Sequence, residues 1–172
     1  MPPIGKWDLP VPRKAIVIGV ADMVVCNDPA AELVTYSLGS CLAIAVYDSV
    51  KKVGGLLHVM LPDSTIDPDR AQLAPFMFVD TGVPRLFHAV YSLGGDRNRV
   101  VIKVIGGAQL LDPQGIFNIG ERNYRSLTGL LARHDHKIHA QDIGGFASRT
   151  VRMDLATGII SIKSPATGAY FL

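Results

Sequence analysis

The chain has 172 residues, 48% hydrophobic and 19% charged, which supplies a sizeable core for about one domain and argues against wholesale disorder. Its net charge of +2 comes from scattered basic residues, with no Lys/Arg run to mark a nucleic-acid face. Apolar stretches are strand-sized and broken by Gly, Pro or charge, so no membrane insertion is expected, and the short apolar run near the N-terminus is too small for a signal-peptide core; the chain reads as cytoplasmic, with Cys26 and Cys41 kept as thiols.

Residues 1–14 are rich in proline and read as an irregular lead-in; residues 15–172 read as a single domain. Apolar, β-rich runs then recur at Ala15–Val20, Glu32–Tyr36, Leu42–Tyr47, Val53–Leu61, Arg99–Ile105, Lys137–Asp142, Thr150–Leu155 and Ile159–Lys163. Most are bounded by Gly, Asp, Asn or Pro, as strands usually are. The turn Ala156-Thr157-Gly158 predicts a C-terminal hairpin.

Two segments have helical spacing instead. Asp80-Thr81 followed by Pro84 is a start signal, Val83, Leu86, Phe87 and Val90 recur on one face, and Gly94-Gly95 stops the run. Asn118 lies three residues before Glu121, a capping-box pattern, with Tyr124, Leu127, Leu130 and Leu131 lining the face that follows. The chain is therefore an α/β mixture of the α+β kind with a mixed, largely antiparallel sheet.

Cys41 follows Gly39-Ser40, and His58 comes seventeen positions later beyond a short turn. A hairpin with a four-residue loop closed by Tyr47 and Lys52 puts Cys41 directly opposite His58 on the same side of the sheet, whereas a one-residue slip would separate them. In that register an adjacent imidazolium would lower the thiol pKa toward neutrality. Gly39 would let the backbone turn sharply, and the N–H groups around Ser40 and Cys41 would face a developing oxyanion. His58 would serve as general acid and base. The same residues also suit a small buried thiol and a satisfied core histidine. Cys26, with no histidine near it in sequence, reads as buried and inert.

The chain resembles a known family, the bacterial chemoreceptor glutamine deamidases (CheD). The resemblance is carried by Thr35, Leu38-Gly39-Ser40-Cys41, Tyr47-Asp48, Gly54-Gly55, His58 and Leu61-Pro62, and by the later blocks Lys103–Leu110, Asn118–Asn123 and Asp142–Ile162. It implies a compact layered domain in which the sheet packs with helices. It also implies a cysteine nucleophile at Cys41, a histidine at His58 and a threonine at Thr35 that orients the imidazole. The implied reaction converts receptor glutamine to glutamate with release of ammonia, needing no metal or organic cofactor. The implied partners are methyl-accepting chemotaxis receptors as substrate and a CheC-type phosphatase.

Two other classes of function compete. One is a non-catalytic regulator that binds a CheC-type phosphatase, for which an intact Thr35, Cys41 and His58 set would be superfluous. The other is a different cysteine acyl-transfer enzyme, a protease or transglutaminase, whose extra clefts have no sequence signature here. His134, His136 and His139 sit close enough to suggest a metal, but a helix C-terminus and a strand entry account for them without one. No Walker or dinucleotide pattern follows any of the Gly-Gly pairs.

Overall fold

A computed structural model of the chain describes residues 13–110, 112 and 114–172, so the proline-rich lead-in, apart from its last residues, lies outside the described residues. Its ten strands fall into two five-stranded sheets, a division of the expected mixed, largely antiparallel strands that the sequence runs alone do not express. In the outer sheet the order is β1 (Lys14–Ile18), β3 (Ala31–Leu38), β8 (Arg149–Asp154), β9 (Ile160–Ser164) and β10 (Gly168–Phe171). In the central sheet it is β2 (Asp22–Cys26), β5 (Val53–Val59), β4 (Leu42–Asp48), β6 (Val101–Gly106) and β7 (Ala140–Ile143). Among the described residues, β1–β3 and β6–β7 are the strand pairs that run parallel. Among the described residues, three α-helices, α1 (Pro68–Leu73), α2 (Val79–Ser92) and α3 (Ile119–Arg133), and two short 3-10 helices, Ser64–Ile66 and Pro75–Met77, complete the order.

The central sheet is buried on both sides. Every residue of β4 and β5 is buried, which is why both read as continuous apolar runs rather than as alternation. On one side Leu42, Ile44, Val46, Leu57 and Val59 pack with Leu86 and Val90 of α2 and Leu127 and Leu131 of α3. On the other, Ala43, Ala45, Tyr47 and Leu56 meet Leu33, Val151, Met153 and Ile162 of the outer sheet. The result is three layers: sheet, sheet, helices.

Several local expectations shift. The strand beginning at Val53 ends at Val59 rather than Leu61, β7 starts at Ala140 rather than Lys137, and β2, α1 and β10 have no counterpart among the sequence runs. The β4–β5 loop does have four residues, but it is closed by Asp48 and Val53, one position beyond Tyr47 and Lys52. The cause is the buried Asp48 carboxylate. Its Oδ1 accepts the Val50 and Lys51 N–H groups at 2.9 and 3.1 Å, so the turn starts after Asp48, and Lys52 completes it at φ 53°.

The capping box at Asn118 does not form. Asn118 occupies the N-cap of α3, but at φ 47° its side chain caps nothing; its Oδ1 instead accepts the Gln109 amide at 2.7 Å, and Glu121 pairs with Arg125. The outer and central sheets are also tied at one edge. Arg149 of β8 grips both oxygens of Asp142 of β7 at 2.9 Å, and the Tyr170 hydroxyl of β10 donates to the same carboxylate.

Candidate active site

The site begins with a side chain from each sheet. Thr35 lies mid-strand in β3 beside Ile18 of β1, just before a bulge in which Ser37 adopts φ 56°. Its hydroxyl is fully buried and lies 2.9 Å from the Ile18 carbonyl and 2.8 Å from His58 Nδ1. A hydroxyl has one proton, and the Ile18 carbonyl can only accept it. Thr35 therefore accepts from His58 Nδ1–H, which leaves the lone pair on Nε2. That Nε2 is buried and has no hydrogen-bond partner. Burial also lowers the His58 pKa to about 4, so the imidazole is neutral at rest.

Cys41 sits at the bend between β3 and β4 and is half-buried. It does not face His58 directly. The observed register pairs Ala43 with His58 and Leu42 with Val59, two residues from the expected pairing. Because the offset is even, Cys41, one residue ahead of β4, keeps the strand parity of Ala43, the residue that pairs with His58. Ala43 belongs to the cluster between the two sheets, and Cys41 packs against it. Burial raises the Cys41 pKa, partly countered by its own backbone N–H, so the resting pair is thiol and imidazole rather than thiolate and imidazolium.

The turn that carries the thiol is held by its carbonyls. Gly39 O accepts the Ala108 N–H at 2.8 Å, Cys41 O accepts the Gly107 N–H at 2.8 Å, and Ser40 O accepts the Asn123 side-chain amide at 3.1 Å. Gly106 and Gly107, at φ 117° and 67°, allow β6 to end against this turn; a Cβ on Gly106 would collide with the Cys41 carbonyl. Gly39 itself needs no left-handed backbone, and its missing side chain instead makes room for Leu110, 3.0 Å from where its Cβ would be.

Cys41 opens onto a cavity of about 500 Å³, lined also by Ser40, Gln109, Phe117, Asn118 and Gly120. Thr35 and His58 do not line it; they are buried in the layer between the sheets. Asn123, which sequence reasoning did not single out by role, is fully buried on α3 and also binds Met60 O at 2.9 Å. Cys26 lies elsewhere, on β2, half-buried rather than buried, its sulfur accepting the Asp28 N–H. The three clustered histidines have separate partners: His134 ends α3, His136 stacks on Phe87 at 4.5 Å, and His139 Nδ1 accepts the Ile102 N–H at 3.0 Å.

These features define a class: a layered α+β protein in which a threonine–histidine hydrogen bond joins two facing sheets and a half-buried cysteine precedes the strand paired with that histidine. The chain belongs to the CheD family, for the family described as "CheD chemotactic sensory transduction" matches residues 60–164. It is 44% identical over 149 residues to "Probable chemoreceptor glutamine deamidase CheD 1" of Syntrophus aciditrophicus (strain SB), covering 87% of this chain and 93% of that protein. It is 45% identical over 143 residues to "Probable chemoreceptor glutamine deamidase CheD" of Solibacter usitatus (strain Ellin6076), covering 83% and 85%. A third relative, "Probable chemoreceptor glutamine deamidase CheD 2" of Anaeromyxobacter dehalogenans (strain 2CP-C), is 41% identical over 149 residues, covering 87% and 94%.

Proposed function

We propose that this protein is a cysteine-dependent amidohydrolase that deamidates glutamine side chains of chemotaxis receptors, with Cys41 as nucleophile, His58 as acid and base, and Thr35 orienting the imidazole. The observation that carries this reading is the Thr35–His58 hydrogen bond, which leaves Nε2 as a buried acceptor on the sheet face that Cys41 shares. The names of the relatives supply the substrate.

The steps follow from the neutral resting pair. His58 Nε2 takes the thiol proton as sulfur attacks the carboxamide carbon, and the carbonyl electrons move onto oxygen. The N–H groups of Ser40 and Cys41 would receive that oxyanion. The imidazolium then protonates the amide nitrogen, the C–N bond breaks and ammonia leaves a thioester. Water, losing its proton to Nε2, attacks the thioester, and the tetrahedral species expels the Cys41 sulfur, which regains its proton from His58. The sum is carboxamide plus water giving carboxylate plus ammonium. Every step uses protein groups and water alone.

A cytoplasmic location is part of the proposal, since the substrate proposed is a receptor's cytoplasmic domain; separately, no helix among the described residues is long and apolar enough to cross a membrane. A CheC-type phosphatase is the proposed regulatory partner, testable by pull-down with the purified proteins. The deciding experiment incubates wild type and Cys41→Ala with a receptor cytoplasmic domain, following ammonia and peptide masses. Glutamine-to-glutamate conversion by wild type alone is the expected result; equal conversion by both proteins would remove Cys41 from the chemistry.

A further inference from the structure

We propose that Asn123 is a positioning residue of the nucleophile turn: its side-chain NH₂ clamps the Ser40 and Met60 carbonyls together and so aims the Cys41 N–H. The inference rests on the reading of Cys41 as nucleophile.

The geometry is specific. Ser40 precedes Cys41, and Met60 lies two residues beyond His58. One amide group, fully buried on α3, donates to both carbonyls at 3.1 and 2.9 Å, so a single side chain joins the turn bearing the thiol to the end of the strand bearing the base. A planar trans peptide holds its C=O and the following N–H antiparallel. Drawing the Ser40 carbonyl toward Asn123 therefore turns the Cys41 N–H to the opposite side, where it lies beside its own sulfur. The attacked carbon is bonded to that sulfur, so its oxyanion sits two bonds from it, within reach of the same N–H.

The neighbouring carbonyls are held by backbone donors, the N–H groups of Ala108 and Gly107. Only the middle one depends on a side chain. Among the described residues, two buried side-chain polar atoms have no partner, His58 Nε2 and Asn123 Oδ1. Buried polar groups are ordinarily satisfied, and a position serving packing alone would hold an apolar side chain. The uncompensated oxygen is the cost of keeping the two donors.

The test compares wild type, Asn123→Ala, Asn123→Asp and Cys41→Ala on the receptor cytoplasmic domain, with rates normalised to the folded fraction at the assay temperature. Asn123→Ala should lower kcat about 10- to 100-fold with KM within about threefold, since the lost contribution belongs to the transition state. Asn123→Asp keeps the shape but confronts two carbonyls with a carboxylate; its rate relative to wild type should rise as pH falls and a protonated acid regains one donor. Should Asn123→Ala not fold, the Asp variant and its pH profile decide. Folded variants with wild-type kcat, or with a KM change alone, would overturn the inference while an inactive Cys41→Ala leaves the nucleophile reading standing. Ammonia release by Cys41→Ala at the wild-type rate would overturn both.

Discussion

Thr35 and His58, one from each sheet, share a 2.8 Å hydrogen bond across the interior of the sandwich, and the Ile18 carbonyl fixes its direction. Thr35→Val would remove the acceptor, strand a buried Nδ1–H and free the ring to take the other tautomer. Activity should fall about 10- to 100-fold, whereas Thr35→Ser, which keeps the hydroxyl, should retain most of it. Steady-state ammonia release by the two variants separates loss of the bond from loss of the methyl group.

A His58 pKa of about 4 has a consequence for the rate profile. The imidazole stays neutral well below the ordinary histidine range, so the acid limb of kcat/KM should lie between about pH 4 and 5 rather than near 6.5. A limb near 6.5 would mean that the free enzyme holds an exposed imidazole.

The same group affects stability. Its folded-state pKa is below its unfolded value of about 6.5, so between those values the unfolded chain binds more protons and stability falls as pH drops. The full penalty, reached below about pH 4, is about 3 kcal/mol. His58→Gln should lessen the slope of stability against pH in this window, as followed by urea unfolding at a series of pH values.

Asp48 works in a lower window. Burial alone would raise its carboxyl pKa, but Arg99 and the N–H groups of Lys51, Asp96 and Val50 outweigh it and hold it at about 2. The stabilisation is present above about pH 4 and is lost as pH falls through 2. Asp48→Asn should therefore destabilise the protein by about 2 kcal/mol at pH 7, and the difference from wild type should shrink below pH 4.

Gly106→Ala should be among the most damaging single-methyl changes. It combines φ 117° with a Cβ directed at the Cys41 carbonyl, so either β6 or the nucleophile turn must move. A loss of about 2–4 kcal/mol and of nearly all activity is expected. Thermal melting together with ammonia release measures both.

The hairpin of β4 and β5 is legible because two apolar runs flank a polar turn, and the even offset of its register leaves Cys41 at the strand parity of Ala43, which pairs with His58. The register itself was not legible. It depends on whether Asp48 ends the strand or enters the loop, and Asp48 is fixed by Arg99 and Asp96, some fifty positions away. The split into two sheets was hidden for a related reason: Thr35 pairs with Val151, a contact between distant segments that no local pattern encodes. Asn118 carried the signature of a cap, yet its left-handed backbone directed the side chain to Gln109. The strand β2 is half-buried along its whole length, and its apolar run, Met23–Cys26, is short and lacks the alternation of an edge.

The inner wall of the central sheet sets small groups beside the larger Tyr47 and Leu56 where it faces the outer sheet. Ala43 and Ala45 lie there with Gly54, whose missing Cβ leaves space for Leu155 and Met153. Facing sheets ordinarily stand about 10 Å apart, a gap set by the side chains between them. Thr35 and His58 each reach into that gap from opposite walls, so their hydrogen bond is a calliper reading of the interlayer distance. Bulk added to the wall would widen the calliper without unravelling either sheet. On the proposed mechanism such a change would act on turnover through spacing, beyond the stability that overpacking removes.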